Sequence, residues 1–181
     1  MNRAYILIGS NLHRKTNYPK ALRRLRSIGT VLAISPVYET APIGNNAAES
    51  FYNGAVLLET ELNAHALKRA LRIIETQLGR VRTAEPNAPR PIDLDLVLFN
   101  HDAIDEADLH VPDPLIFQRP YLARALAEIS PEYVHPLTGQ TLAEIARRFG
   151  EHPAGIRVEP VATANARQIF EHNYRGEFAH A

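Results

Sequence analysis

The sequence predicts an α+β fold in which helices pack on an antiparallel sheet, and three observations predict it. Four short runs rich in apolar and β-branched residues, Ala4 to Ile8, Thr30 to Val37, Tyr52 to Glu59 and Ile92 to Phe99, have the length and composition of strands. Two segments between them repeat apolar residues at helical spacing. The resulting order of strand, helix, strand, strand, helix, strand is the ferredoxin-like βαββαβ arrangement.

Each element has a local cause. Ala4 to Ile8 is a continuous apolar run stopped by Gly9, Ser10 and Asn11, which suits a buried central strand entering a turn. Asn17 is a suitable cap for a first helix with Pro19 in its opening turn, Leu22, Leu25 and Ile28 on one face, and Gly29 at its close. A polar loop with Pro42, Gly44, Asn45 and Asn46 joins the second and third strands. Asn63 is placed to cap the second helix, in which Leu67, Leu71, Ile74 and Leu78 line one face before Gly79 ends it. Past the last strand, Tyr121 to Ile129 and Leu142 to Phe149 form a helical extension over a face of the sheet, the second helix lying between Thr141 as cap and Gly150 as stop. Residues 1–150 are expected to make a single domain. Residues 151–181 are expected to be a polar C-terminal extension, in part disordered, with one strand-like piece at Ile156 to Val161.

With 181 residues, 45 % of them apolar, the chain can bury a proper core. Twenty basic residues offset twenty acidic ones, so no overall field draws the protein to nucleic acid or to a membrane, and neither is expected as a partner. Cysteine is absent, which excludes disulfides, Cys-ligated zinc, iron–sulfur clusters and thiol nucleophiles, and which fits a cytoplasmic location. The N-terminal apolar run is shorter than a signal-sequence core or a membrane span. A monomer or weak homo-oligomer is expected. The phosphate loop, the dinucleotide fingerprint and the nucleophile elbow are all missing. The eight histidines lie apart without metal-ligand spacing, each expected at the surface or in a loop.

The chemistry concentrates around Ile92 to Phe99. A strand period of two turns Asp93 and Asp95 to one face and Ile92, Leu94, Leu96 and Leu98 to the other, into the core. Paired carboxylates of this kind suit Mg²⁺, which takes one or two of them and completes its shell with water and substrate phosphates. The plainer alternative is two acids on the solvated face of an edge strand. Arg80, Arg82 and Arg90 lie in the loop just upstream, so cations and anions meet at one mouth, as phosphoryl transfer requires. The alternative there is that the arginines only pair with Asp93, Asp95 and Glu85. Phe51 and Asn53 share a strand face and can offer an aromatic plate and an amide to a flat heterocycle, although such residues also serve core and turn roles. The loop from Thr40 to Gly44 can present backbone groups to a ligand.

In order along the chain stand I-G-S-N at Ile8 to Asn11, Y-E-T-A-P-I-G at Tyr38 to Gly44, Y-N at Tyr52 and Asn53, G-R-V-R at Gly79 to Arg82, A-P-R-P-I-D-L-D-L at Ala88 to Leu96, and a looser V-P-D-P…R from Val111 to Arg119. With these the sequence resembles the 6-hydroxymethyl-7,8-dihydropterin pyrophosphokinase family. The resemblance implies transfer of diphosphate from ATP to the hydroxymethyl group of a pterin alcohol, releasing AMP, in folate biosynthesis. It implies two Mg²⁺ ions on Asp93 and Asp95, with Arg80 and Arg90 closing over the transferring group. It further implies ATP contacts from Glu75, Arg82, Leu96 and Arg119, and pterin contacts from Thr40, Ile43, Phe51, Asn53 and Tyr121.

The sequence departs from the family pattern at four positions. Pro86 and Asn87 stand where a basic residue and often an aromatic are usual, Asp113 where a histidine is common, and Asp108 where a basic residue is frequent. His110 or Arg72 can restore some of that positive charge. The departures keep open a paralogue of another pterin pathway, or a non-catalytic module that binds a pterin or a nucleotide.

Overall fold

The computed structural model describes residues 1–41, 49–81, 88–151 and 153–177. Its main sheet runs β5-β1-β4-β3-β8, with β2 also on β4, from the strands β1 (Asn2–Ser10), β2 (Thr30–Ile34), β3 (Tyr38–Thr40), β4 (Phe51–Thr60), β5 (Asp93–Phe99) and β8 (Ile156–Val158). A separate hairpin pairs β6 (Ile104–Glu106) with β7 (Leu109–Val111). All pairings in the main sheet are antiparallel, and the core order is that of the βαββαβ arrangement.

Alternation along β1 divides the interior in two. Ala4, Ile6 and Ile8 face one apolar layer with Leu22, Leu25, Leu58, Leu67 and Leu71, whereas Tyr5 and Leu7 face a second with Leu57, Leu122, Leu126 and Ile145. The first layer is closed by α1 (Arg14–Leu25), α2 (Ala64–Gln77) and α5 (Pro160–Glu177). The second is closed by α3 (Pro120–Ile129) and α4 (Leu142–Arg147). Asn63 caps α2 by accepting from the Ala66 N–H at 2.9 Å, and Thr141 with Glu144 completes a capping box on α4, both as their sequence positions predict.

Several expectations are corrected. Asn17 is not the cap of α1: the helix starts at Arg14, and the buried Asn17 amide reaches back to donate to the Leu12 carbonyl at 2.8 Å. The buried face of α1 begins a turn earlier than Leu22, because Tyr18 fills the apolar role at that spacing. Gly29 lies past the end of α1, and its need is steric, since a Cβ there would stand 2.3 Å from the Glu59 carbonyl oxygen. The strand expected from Thr30 to Val37 breaks at Pro36 into β2 and β3. There Ser35 substitutes for the ladder, its hydroxyl accepting from the Ala55 N–H at 2.9 Å. Leu98 points to the opposite layer from Leu94 and Leu96, because β5 bulges where Ile6 pairs with Leu96 and Tyr5 with Leu98. His135 sits in a loop, as expected, and is buried there, edge-on to Phe117 with ring centroids 5.0 Å apart.

The polar segment after Gly150 is ordered through much of its length. β8 pairs with β3, while Ala166, Ile169 and Phe170 of α5 pack into the layer under α1. Glu159 caps α5 through the Ala162 N–H, and Thr163 accepts from the Val37 N–H at 2.9 Å. The apolar residues of α5 are few, so composition reads this helix as a tail.

One close approach is testable. A Cβ on Gly54 would stand 2.1 Å from the Tyr18 hydroxyl oxygen, which is buried against the strand. Gly54→Ala is expected to cost about 1–3 kcal/mol in urea unfolding. Adding Tyr18→Phe should recover part of that loss, and a double variant no more stable than Gly54→Ala would exclude this cause.

Candidate active site

The ends of β1, β4 and β5 meet on the face of the sheet that α3 covers. Asp93 opposes Gly9 across one ladder, and Asn53 opposes Gly9 across the other, so the acid and the amide flank a residue without a side chain. Asn53 is buried and donates its Nδ2 to the Thr40 hydroxyl at 2.9 Å. Phe51 lies opposite Thr40 at the start of β4 and is half-buried.

Asp93 is the meeting point of the arginines. Arg80 donates to Asp93 Oδ1 and, at 2.8 Å, to Glu75 Oε1, while Arg90 donates to Asp93 Oδ2 at 2.6 Å. Glu75 is buried on α2 and also accepts from the Leu94 N–H at 2.8 Å, which ties the helix to the strand that carries the acids. Ser10 and Asn11 prepare Arg90. The Ser10 hydroxyl donates to the Pro91 carbonyl at 2.6 Å, and the buried Asn11 side chain accepts from the Arg90 N–H at 2.7 Å.

Asp95 shares the face of Asp93 but has no arginine bonded to it among the described residues. Part of its surface is open. The protein around this exposed residue still takes away some of its solvation, the first cause that pushes the carboxyl up to about 7. The charges of Asp93, Asp113 and Glu75 add to that rise, and Arg80 opposes it. Asp113 is itself raised by burial although its carboxylate caps the turn Pro114–Phe117 by accepting from the Leu115 N–H at 2.8 Å. His110 lies near enough to lower Asp113 somewhat, and its Nδ1 is 2.7 Å from Asp105. Tyr121, at the start of α3, is raised by burial and feels the charges of Arg119, Asp95, Asp93 and Asp113.

The predicted residues thus gather only in part. Arg80, Arg90, Asp93, Asp95, Glu75, Thr40, Asn53, Phe51 and Tyr121 surround one end of the sheet, with Arg119 at the cap of α3. The Leu96 side chain is instead buried in the layer beneath α1 and α2, facing away from Asp95. Asp108 sits in the β6–β7 turn, grouped with His65 and Glu106. Ile43, Arg82, Pro86 and Asn87 lie outside the described residues.

The family model described as 7,8-dihydro-6-hydroxymethylpterin-pyrophosphokinase (HPPK) matches residues 5–131. The chain belongs to this family. It is 34 % identical over 158 residues to the Bacillus subtilis 2-amino-4-hydroxy-6-hydroxymethyldihydropteridine pyrophosphokinase, covering 86 % of this chain and 94 % of that one. The Methylorubrum extorquens protein of the same name is 34 % identical over 163 residues, covering 88 % of this chain and all of the other. The Dictyostelium discoideum folic acid synthesis protein FOL1 is 32 % identical over 94 % of this chain, which spans only 26 % of that longer protein. A Plasmodium falciparum HPPK-DHPS crystal structure superposes with a TM-score of 0.66 at 16 % identity, covering 82 % of this chain and 44 % of the other, and shows the same fold.

Two parts of the candidate site are missed by sequence reading. Ser10 and Asn11 read as a turn, yet they clamp the base of Arg90; two polar residues ending an apolar strand were the available signal. Glu39 is the second. It receives Ser50, Arg14 at 2.9 Å and Arg157 at 2.6 Å, and these bonds, the Ser50 hydroxyl first, outweigh the cost of burial and hold its carboxyl down at about 2. It thereby fixes the strands behind Thr40 and Phe51 from β8, through an arginine 118 positions away that sequence spacing does not reveal. The charge of Asp113 on Asp95 agrees with the loss of positive charge that its place in the sequence leads one to expect.

The raised Asp95 carboxyl has a sign that can be checked. Its folded value lies above the unfolded 3.8, so the native state holds its proton longer, and stability falls as pH rises from about 4 to about 7. Asp95→Asn is expected to flatten that slope in metal-free buffer and to raise Tm at pH 8. A Tm at pH 8 that drops in the variant would contradict the crowding of charge described above.

Proposed function

We propose that the protein transfers diphosphate from ATP to the hydroxymethyl group of 6-hydroxymethyl-7,8-dihydropterin, releasing AMP, in folate biosynthesis, and that this cleft is where it does so. The observation that carries the reading is the distribution of charge: two arginines rest on Asp93, while Asp95 beside it keeps uncompensated negative potential. A hard cation fits the second feature. Oxygen donors on one strand face, crowded enough to hold a proton near neutrality, release it when a cation takes its place. We assign two Mg²⁺ ions to Asp93 and Asp95, a number that rests on the family resemblance. When bound, Mg²⁺ supplies positive charge to phosphate oxygens and so eases attack at phosphorus.

The chain's own residues do the remaining work. Arg80 and Arg90 are anchored at their backbones or by Glu75, so each guanidinium can exchange Asp93 for a phosphate oxygen without leaving the cleft. Asn53 uses one N–H on Thr40, and its second N–H and its carbonyl remain for the polar edge of the pterin. Phe51 and Tyr121 supply flat faces for the ring, and burial keeps the Tyr121 hydroxyl protonated as a donor. Arg119 and Arg82 are assigned to ATP. Leu96 is assigned through its backbone, since its side chain lies in the core.

A second reading, the non-catalytic module, draws on one observation. Asp113 adds negative charge where a phosphate must approach. The charge of the nearby His110 opposes that of Asp113, so we prefer the enzyme.

Incubating the protein with ATP, Mg²⁺ and 6-hydroxymethyl-7,8-dihydropterin should yield AMP and a diphosphorylated pterin; ADP as the sole nucleotide product would refute the reaction. Asp95→Asn and Arg90→Ala should each lower kcat by about 10²–10³-fold. Asn53→Ala should act mainly on the pterin KM. EDTA should abolish turnover, and Mg²⁺ affinity should rise with pH up to about 7 as Asp95 loses its proton.

A further inference from the structure

On the other face of the sheet, α1 and α5 enclose a groove of about 730 Å³. The charge of α1 is anomalous for a chain of zero net charge. Arg14, Lys15, Lys20, Arg23, Arg24 and Arg26 follow one another with no acid among them, and no acidic residue precedes Glu39. Lys15, Lys20, Arg23 and Arg26 line the groove, which has no carboxylate among the described residues of its wall. Among the described residues, Lys15, Lys20 and Arg23 make no ion pair. Such an array works against the helix. Lys20, Arg23 and Arg24 repel at spacings of three and four, and Lys15 opposes the positive end of the helix dipole. From Lys15 to Arg26 the cations run along roughly 16 Å of helix, the reach of a chain of anionic groups rather than of a single ion.

A second cavity adjoins the first. It is a more enclosed recess of about 130 Å³ that shares Lys15, Pro19 and Asn165 with the groove. The rings of Tyr18 and Tyr52 and the side chains of Val161 and Ala162 wall it, with Glu159 and Asn165 at its polar side. The Arg14 guanidinium lies over the Tyr52 ring, 4.4 Å from its centroid. For scale, an apolar cavity of ~150 Å³ takes a benzene ring. An aromatic-walled recess for one flat ring therefore opens beside a row of cations.

We propose that groove and recess together form a second binding site, for a nucleoside polyphosphate, with the base in the recess and the phosphates along α1. The site is separate from the Asp93 cleft, but it is joined to it. The Asn17 amide of α1 holds the Leu12 carbonyl at 2.8 Å, and the Leu12 N–H bonds the Arg90 carbonyl at 3.2 Å, so an occupant that shifts α1 acts on the backbone of Arg90. Its role is that of an effector, and it does not depend on the reaction proposed above.

Calorimetric titration of the full chain with ATP in excess EDTA tests it. ATP is expected to bind, with affinity falling as KCl rises. Lys20→Glu with Arg23→Glu should weaken it at least tenfold, Lys20→Gln with Arg23→Gln should weaken it in the same direction, and Arg90→Ala should leave it unchanged. Ala162→Leu, which fills the recess, should weaken ATP but not inorganic tripolyphosphate. The proposal is overturned if ATP does not bind, if binding survives the paired α1 variants but is lost in Arg90→Ala, or if tripolyphosphate binds as tightly as ATP. The Gln pair guards against misfolding, and AMP release is read separately, so either proposal can fail without the other.

Discussion

Three carboxylates, those of Glu75, Asp93 and Asp113, press on a fourth, Asp95, at the end of β5, and Arg80 is the cation that opposes them. Glu75 is almost wholly buried, and a carboxylate in that position needs both a cation and hydrogen bonds. It has them in Arg80 and the Leu94 N–H. The same guanidinium reaches Asp93 and the Ile92 carbonyl, so helix, loop and strand are registered by one side chain. The potential left over falls on Asp95. Neutralising the deepest acids and leaving the outer one in excess gives the cleft its demand for a cation.

The sheet separates two kinds of chemistry. On the α3 side, short strand ends bring an amide, two aromatic rings and the acids to one mouth. On the α1 side, the interior is largely apolar, with Glu75 of α2 as a buried charge, and a row of cations stands where α1 meets α5. Glu39 connects the two. Its neighbours across the ladders belong to β4 and β8, and its bonded partners come from α1, the approach to β4 and β8. The segment beyond residue 131, where the family match ends, thus reaches the strands behind the cleft.

Much of the fold is legible in the sequence because it rests on local causes. The continuous apolar run of β1, the Asn63 cap and the Thr141 capping box require only near neighbours. The failures are non-local. A bulge in β5 turns Leu98 over, Pro36 divides a β-branched run, and α5 gains its place from packing on α1 rather than from its own weak apolar pattern. The site shows the same division. Asp93 and Asp95 follow from strand period, and the ordered motifs supply their neighbours, but no spacing rule announces that Asn11 holds the Arg90 backbone or that Asp113 presses on Asp95.

The acids of β5 also bear on how the sheet ends. β5 lies at one edge of the main sheet, and β8 at the other. An exposed edge is a template for another chain, and natural sheets protect it by brevity or by charge. β8 is only three residues long and carries Arg157, whereas β5 carries Asp93 and Asp95 at its leading end. An incoming strand would take solvent from the exposed Asp95 carboxylate, which has no arginine bonded to it among the described residues. The pair that makes the cleft receptive to metal therefore also keeps the sheet from growing, and variants that neutralise both acids risk self-association.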